Sequence, residues 1–452
     1  MKRGLLLTVF SCVTLFSFAS HLRCGYISVH RATCTSLIFT ITVTVFTNTA
    51  SDVKFGEDGI LDFGDGTSMV VPKVENTPRP DLGSNIGMAT YTINHRYAGV
   101  GSYLVSYIEP NRNGGVLNMS DSFFTTFYTE TLIDFAQCST PTFVAPPLFM
   151  GGLGNTFDLS LGAGSPDDSQ ITYEFAVPFR DRGTPVSGFT QPETMTLNHL
   201  TGLITWDTDV SSPGEYNFAI NAVQWKNVNG TLLRSQYIRI DFQVILNAEV
   251  PFYNIQDNQV LDPYNRILAP DGEEKTIKIF FETDAANQPK LEMYSALPEE
   301  ALSFSTYDSV SSADGSDIKV GVLKIATREQ DLRSTGYIIT VRGRTAFGST
   351  DINYLVYAAD ELPPLPVITA TEADLATVQV YPNPVSDFIQ IDVAGGETST
   401  ALIYSAQGVL LTSHRFENNA IIDTHNLPAG LYICDVRRNN ASVKKIKIIK
   451  SK

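Results

Sequence analysis

The sequence predicts an all-β chain of tandem antiparallel β-sandwiches closed by a smaller C-terminal sandwich. The prediction rests first on apolar side chains that recur with period two. Phe39, Ile41, Val43 and Val45 alternate with Thr40, Thr42 and Thr44. Ile238, Ile240, Phe242 and Val244 alternate with Arg239, Asp241 and Gln243. Successive residues of a strand point to opposite sheet faces, so this spacing gives one apolar and one polar face. Tyr216, Phe218 and Ile220 repeat the pattern, as do Ile389, Ile391 and Val393 near the end. Long apolar stripes with helical spacing are absent. The 32 glycines and 23 prolines are spread as turn punctuation between short extended segments, the layout of sandwiches. At 452 residues the chain exceeds one core and suggests three or four domains. With 43% hydrophobic and 18% charged residues it can bury those cores.

In chain order, residues 1–19 read as a signal peptide. Lys2 and Arg3 precede an uncharged apolar run from Gly4 to Phe18, and Ala19 supplies a small residue for cleavage. The run is short for a membrane-spanning helix, which needs about 20 apolar residues, and no later segment reaches that length. Cys12 lies inside the run and Phe10 is too large for an acylation site, which favours a plain signal over a lipoprotein signal. Composition then places breaks at Cys138-Ser139-Thr140-Pro141, at Asn247-Ala248-Glu249-Val250-Pro251 and at the proline-rich Glu361–Pro366. The expected units are 20–137, 138–247 and 248–362, then a linker over 363–376 and a terminal unit over 377–452. The third unit offers strand-like segments at Lys275–Phe281 and Tyr337–Val341 but no distinctive motif.

Charge separates the last unit from the rest. Residues 377–452 carry a net +2 and residues 20–376 a net -20. The body therefore has no general attraction to nucleic acid or to an anionic lipid surface. Four cysteines remain after the signal: Cys24, Cys34, Cys138 and Cys434. They allow three complete pairings. Near the first unit either Cys24 with Cys34 or Cys34 with Cys138 is compatible, and Cys434, inside an apolar strand, reads as a buried free thiol.

The first unit contains Leu61-Asp62-Phe63-Gly64-Asp65-Gly66-Thr67 and, about thirty residues on, His95-Arg96-Tyr97-Ala98-Gly99-Val100-Gly101-Ser102-Tyr103. Gly64 and Gly66 permit a tight turn, and Asp65 can bond its own backbone there. The pair resembles the polycystic-kidney-disease-type (PKD-like) repeat, with Leu61 where the repeat usually has Trp. The resemblance implies an immunoglobulin-like sandwich over about residues 35–110, with Asn111 to Phe135 adding edge strands or a loop. In the second unit, Gly202-Leu203-Ile204-Thr205-Trp206 and Pro213-Gly214-Glu215-Tyr216 resemble the immunoglobulin- and cadherin-like domains of bacterial surface proteins. Trp206 reads as a core anchor, with Trp206 and Trp225 the alternatives for a sugar-stacking platform. The acidic residues of these units read as structural turn residues, with no cofactor expected; the alternative is calcium, with Asp62, Asp65, Asp167 and Asp168 as its candidate ligands. Glu57 and Asp58 lie close by, but the set lacks the alternating acidic spacing of a calcium loop.

The tail carries the most specific pattern. Val380-Tyr381-Pro382-Asn383-Pro384 opens it, Ala406-Gln407-Gly408 forms a hairpin turn, and Leu427-Pro428-Ala429-Gly430-Leu431-Tyr432 feeds a strand. Val443-Lys444-Lys445-Ile446-Lys447-Ile448 closes it with a lysine-studded strand suited to an exposed edge. Pro382, Asn383, Pro384, Gly408, Gly430, Tyr432, Lys444 and Lys445 together resemble the type A C-terminal sorting domain of type IX secretion cargo. That resemblance implies Sec export into the periplasm and passage across the outer membrane by the type IX machinery. It also implies tail removal near the linker, and release or attachment to surface lipopolysaccharide.

No catalytic motif emerges. The six histidines form no H-E-x-x-H pair, no G-x-S-x-G elbow is present, and no glycine-rich loop joins a strand to a helix. Small sandwiches account for the whole chain. The expectation is a secreted or outer-surface, non-catalytic protein, an adhesin-like binding or spacer molecule that meets an extracellular protein or glycan through loops. A carbohydrate-binding surface protein and a hydrolase with an unrecognised active site are the alternatives.

Overall fold

The strand Ile38–Asn48 lies between Leu22–His30 and Ile86–Arg96 and is paired along its length with both. Its β-branched residues suit a pleated surface, and Phe39, Ile41, Val43 and Val45 face inward as the alternation requires. The structure is a computed structural model. It describes residues 22–51, 54–110, 112–209, 211–228, 231–248, 253–284, 288–310, 316–366, 378–393, 398–417, 419–438 and 441–451. The expected signal peptide lies outside these residues, as does most of the expected linker. Among the described residues, strands dominate and the helical content is three 3-10 turns, at Ser122–Phe124, Glu299–Ala301 and Glu329–Asp331. The fold is all-β with stacked sheets, as the patterning predicts.

A twelve-stranded sheet spans the first two expected units. Its central member is the 17-residue strand Thr231–Asn247. At Tyr237 and Ile238 this strand pairs with Phe127–Asp134, and at Ile240 and Asp241 with Leu22–His30. Further along it runs parallel to Leu148–Gly152, and its other edge forms a long antiparallel ladder with Gly214–Val228. The limit expected at 137/138 is therefore crossed by backbone pairing. It is also crossed by the Cys34–Cys138 disulfide, with Cα atoms 4.8 Å apart. Cys24 and Cys434 are free and buried. The stretch after residue 111 differs from the expected edge strands or loop. Residues 112–126 do form a loop, but Phe127–Asp134 is an interior strand between Ser102–Glu109 and Thr231–Asn247. Its residues from Phe127 to Ile133 are all buried.

The first unit curls its half of the sheet around Ile27, Ile41, Val43, Leu61, Tyr97, Tyr103, Val105 and Tyr107. In the second, Gln170–Ala176, Gly214–Val228 and Thr231–Asn247 face a three-stranded sheet of Thr156–Ser160, Leu203–Asp207 and Met195–Leu197. Trp206 sits between these layers, fully buried, with its ring 5.4 Å from Phe218 and 5.2 Å from Tyr216. The third unit has two four-stranded sheets, one around Glu274–Thr283 and Asp317–Ala326, the other around Tyr337–Arg344 and Ser349–Tyr357. One apolar cluster runs through all three units, from Cys24 to Val356.

Polar cross-ties accompany this shared core. Asp351 accepts two bonds from buried Arg342, at 2.7 and 2.9 Å, and one from the Ser160 amide at 2.7 Å. Asp241 accepts two from buried Arg112, at 2.9 and 2.8 Å, and one from Asn217. Burial pushes the Asp241 carboxyl above its usual range, and Arg112 and Asn217 oppose that shift.

Candidate functional site

The terminal unit is a small sandwich of its own. Gln379–Tyr381, Phe388–Asp392 and Asn419–Asp423 form one sheet. Leu410–Glu417, Thr398–Ser405, Gly430–Arg438 and Ala441–Lys450 form the other. Val380, Ile389, Ile391, Ile403, Cys434 and Val436 fill the space between them. Cys434 is the buried thiol that the strand pattern predicts, and burial, with nearby Asp435, pushes its pKa up to about 12.

The opening motif works through its asparagine. Pro382 and Pro384 contribute no backbone donor, so the chain here cannot extend an ordinary ladder. The Asn383 side chain replaces it. Its amide nitrogen donates to the Lys447 carbonyl at 2.8 Å and its oxygen accepts from the Ile449 amide at 3.0 Å. The Val385 amide then donates to the Ile449 carbonyl at 2.7 Å. The motif thus closes part of the outer edge of the last strand, which the sheet order leaves unpaired. Gly408 takes φ 82° in the hairpin turn, a conformation that disfavours side chains. Tyr432 is buried and its hydroxyl donates to the Pro428 carbonyl at 2.6 Å, fastening the turn before Gly430. Lys444 donates to the Val378 carbonyl at 2.6 Å, and partial desolvation lowers its pKa. Lys445 stays exposed, paired in register with Asp435.

These features define a multi-sheet β protein ending in a small sandwich with its own core. Residues 379–451 match the family described as Secretion system C-terminal sorting domain. A search of curated proteins finds no match to this chain. The tail marks the chain as a secreted cargo protein of type IX secretion and implies contact with that machinery. Among the described residues no helix is long and apolar enough to cross a membrane.

The acidic candidates of the body fall in two pairs, Asp62 with Asp65 and Asp167 with Asp168. Asp62 accepts from the Gly64 amide at 2.7 Å and from Arg182 at 3.2 Å. Asp65 accepts from the Thr67 amide at 3.0 Å and from His95 Nε2 at 2.7 Å. Burial works to raise the Asp65 carboxyl, but the bonds from His95 and Thr67 outweigh it and hold its pKa low. Asp167 accepts from the amides of Cys138 and Ser139, at 2.8 and 3.0 Å. Asp168 reaches into the third unit, where both the amides and the hydroxyls of Ser334 and Thr335 donate to it. Each carboxylate thus engages protein donors. Among the described residues no group of three or more His, Cys, Asp and Glu side chains is arranged to hold a metal ion.

The two tryptophans differ. Trp206 is core. Trp225 is half-buried, donates to Thr172 at 2.7 Å, and borders a groove of about 660 Å³ with Asp168, Lys226, Ser334 and Pro363. A second cleft, of about 600 Å³, holds two carboxylates, Asp81 and Glu292. Arg79 bonds Asp81 and holds its pKa below the usual range, while Arg344 stands 3.6 Å from Glu292.

Sequence reasoning passed over one set of residues. Gly101, Ser102 and Arg182 of the body touch the tail directly. No local pattern signals such a role, because their partners lie more than 200 residues away.

Proposed function

We propose that the chain is a non-catalytic surface or secreted protein, an adhesin-like binding or spacer molecule whose first 19 residues direct Sec export and whose tail directs the final step. The observation that carries the reading is the folded sorting tail behind a body of continuous β packing. In that body the conspicuous buried charges, Arg112 with Asp241 and Arg342 with Asp351, tie layers together. The PKD-like and immunoglobulin- or cadherin-like readings of the first two units fit this role, since such units present loops at the ends of rigid sandwiches. Attachment to surface lipopolysaccharide or release follows tail removal. A chain lacking residues 377–452 should accumulate in the periplasm, measured by fractionation and intact mass; surface delivery of that truncation would defeat the export reading.

A glycan-binding role is a second reading, favoured by the half-buried Trp225 at the groove between the second and third units. Trp225→Ala should abolish retention on a glycan array while leaving the melting temperature within a few degrees. Retention unchanged by that substitution sinks the reading.

A further inference from the structure

We propose that the body carries a receptor surface for its own sorting domain, so that cutting the linker does not by itself release the tail. This holds whatever the body binds, and it goes beyond the address function of the tail. Tyr381, the aromatic residue before Pro382, is only 1% exposed, yet it is not part of the tail's core. It packs with Leu104, Leu132, Val223 and Tyr237 of the body. Its hydroxyl lies 3.4 Å from that of Tyr237 and donates to Asp392. Nearby, buried Glu130 accepts from Tyr128 and Tyr237, both at 2.7 Å, so each of its carboxylate oxygens is engaged.

Further contacts join tail and body. The Asn383 amide donates to the Ser102 carbonyl at 2.9 Å, a strand-like link between tail and body backbones. The Arg182 guanidinium lies 4.2 Å from the centroid of Phe388. Body glycines mark where the tail comes closest. A Cβ on Gly101 would collide with the Asn383 carbonyl, one on Gly66 would lie 2.8 Å from Ser386 Cβ, and one on Gly183 would strike Ile421. Gly66 and Gly183 have positive φ and would be strained by any side chain, but Gly101 does not. At Gly101 the three atoms nearest an added Cβ all belong to the tail. An apolar, hydroxyl-lined seat with backbone pairing is the kind of contact that salt screens little.

The test uses the full chain with a protease recognition sequence placed within residues 367–376. After cutting, the fragments are run on size exclusion at micromolar concentration. They should co-elute. Gly101→Ala should weaken retention of the tail at least tenfold, because its methyl group meets backbone that cannot swing aside. Gly99→Ala, two residues away with nothing within 4 Å of the added Cβ, should retain the tail like the parent. Tyr381→Ser tests the same contact from the tail side and decides the matter should Gly101→Ala lower the body's melting temperature. Separate elution of the parent fragments overturns the proposal, as does equal retention in all three variants.

Discussion

Two strands with the same alternation in sequence end in opposite settings. In Ile38–Asn48 the polar positions Thr40 and Thr42 stay half-exposed while Thr44 is buried, and Thr42 shares a hydroxyl bond of 3.1 Å with Thr92 on the neighbouring strand. In Thr231–Asn247 the polar positions Arg239, Asp241 and Gln243 are 8%, 1% and 0% exposed. The loop carrying Arg112 covers that face, and so does Phe179, whose ring lies 3.9 Å from the Arg239 guanidinium. Alternation therefore shows that a strand has two different faces. It does not show whether either face meets water. A strand at the junction of two units is covered twice, and its charges must then find buried partners or cost several kcal/mol.

The comparison breaks most sharply at Asp241. Asp241→Ala leaves Arg112 buried without its partner, and the expected loss is about 3–5 kcal/mol by urea denaturation. Replacing both members, Arg112→Met with Asp241→Leu, should cost far less, since apolar residues of similar volume need no charge partner. Equal losses would show that the pair is not what holds this face.

The next effect concerns the edge of the comparison, where the two units meet. Cys34→Ser removes a cross-link between residues 104 apart and should lower stability by about 2–4 kcal/mol, read as a fall in melting temperature that reducing agent reproduces in the parent. A parent insensitive to reducing agent would locate the strength of the junction wholly in the sheet.

A smaller, pH-dependent effect belongs to the Asp65 turn of the first unit. Asp65 has a folded-state pKa below its unfolded value of about 3.9. Its contribution is present above that unfolded value and lost as pH falls through the folded one. The parent should therefore lose stability below about pH 4, and Asp65→Asn should flatten that part of the acid melting curve. An unchanged curve would mean that the bonds from His95 and Thr67 do not favour the charged form. The smallest effect is at Thr42. Thr42→Ala, on the half-wet face, should cost only about 0.5 kcal/mol in the same denaturation assay. A loss approaching that of Asp241→Ala would erase the distinction between the two strands.

The tail was the most legible region. Its motifs specify local events: Gly408 a turn, Pro382 and Pro384 an extended entry, Cys434 a buried strand position. Each depends on residues near in sequence or on the one sheet they complete. The candidate sites of the body were less so. Asp167 and Asp168 read as candidate calcium ligands, yet their acceptors are spent on Cys138, Ser139, Ser334 and Thr335. Trp206 and Trp225 carry equal weight as letters, and their burial separates them.

By itself the sequence determined the all-β class and the turn chemistry, because period-two patterning, glycine conformation and proline geometry act over a few residues, and it identified the sorting tail through its resemblance to a known family. Only the tertiary structure decided that Thr231–Asn247 joins two expected units, that Cys34 pairs with Cys138, and that Tyr381 leaves the tail's core for the body. Those outcomes depend on which surfaces meet across a hundred residues or more, and the desolvation that governs them has no local signature in the chain.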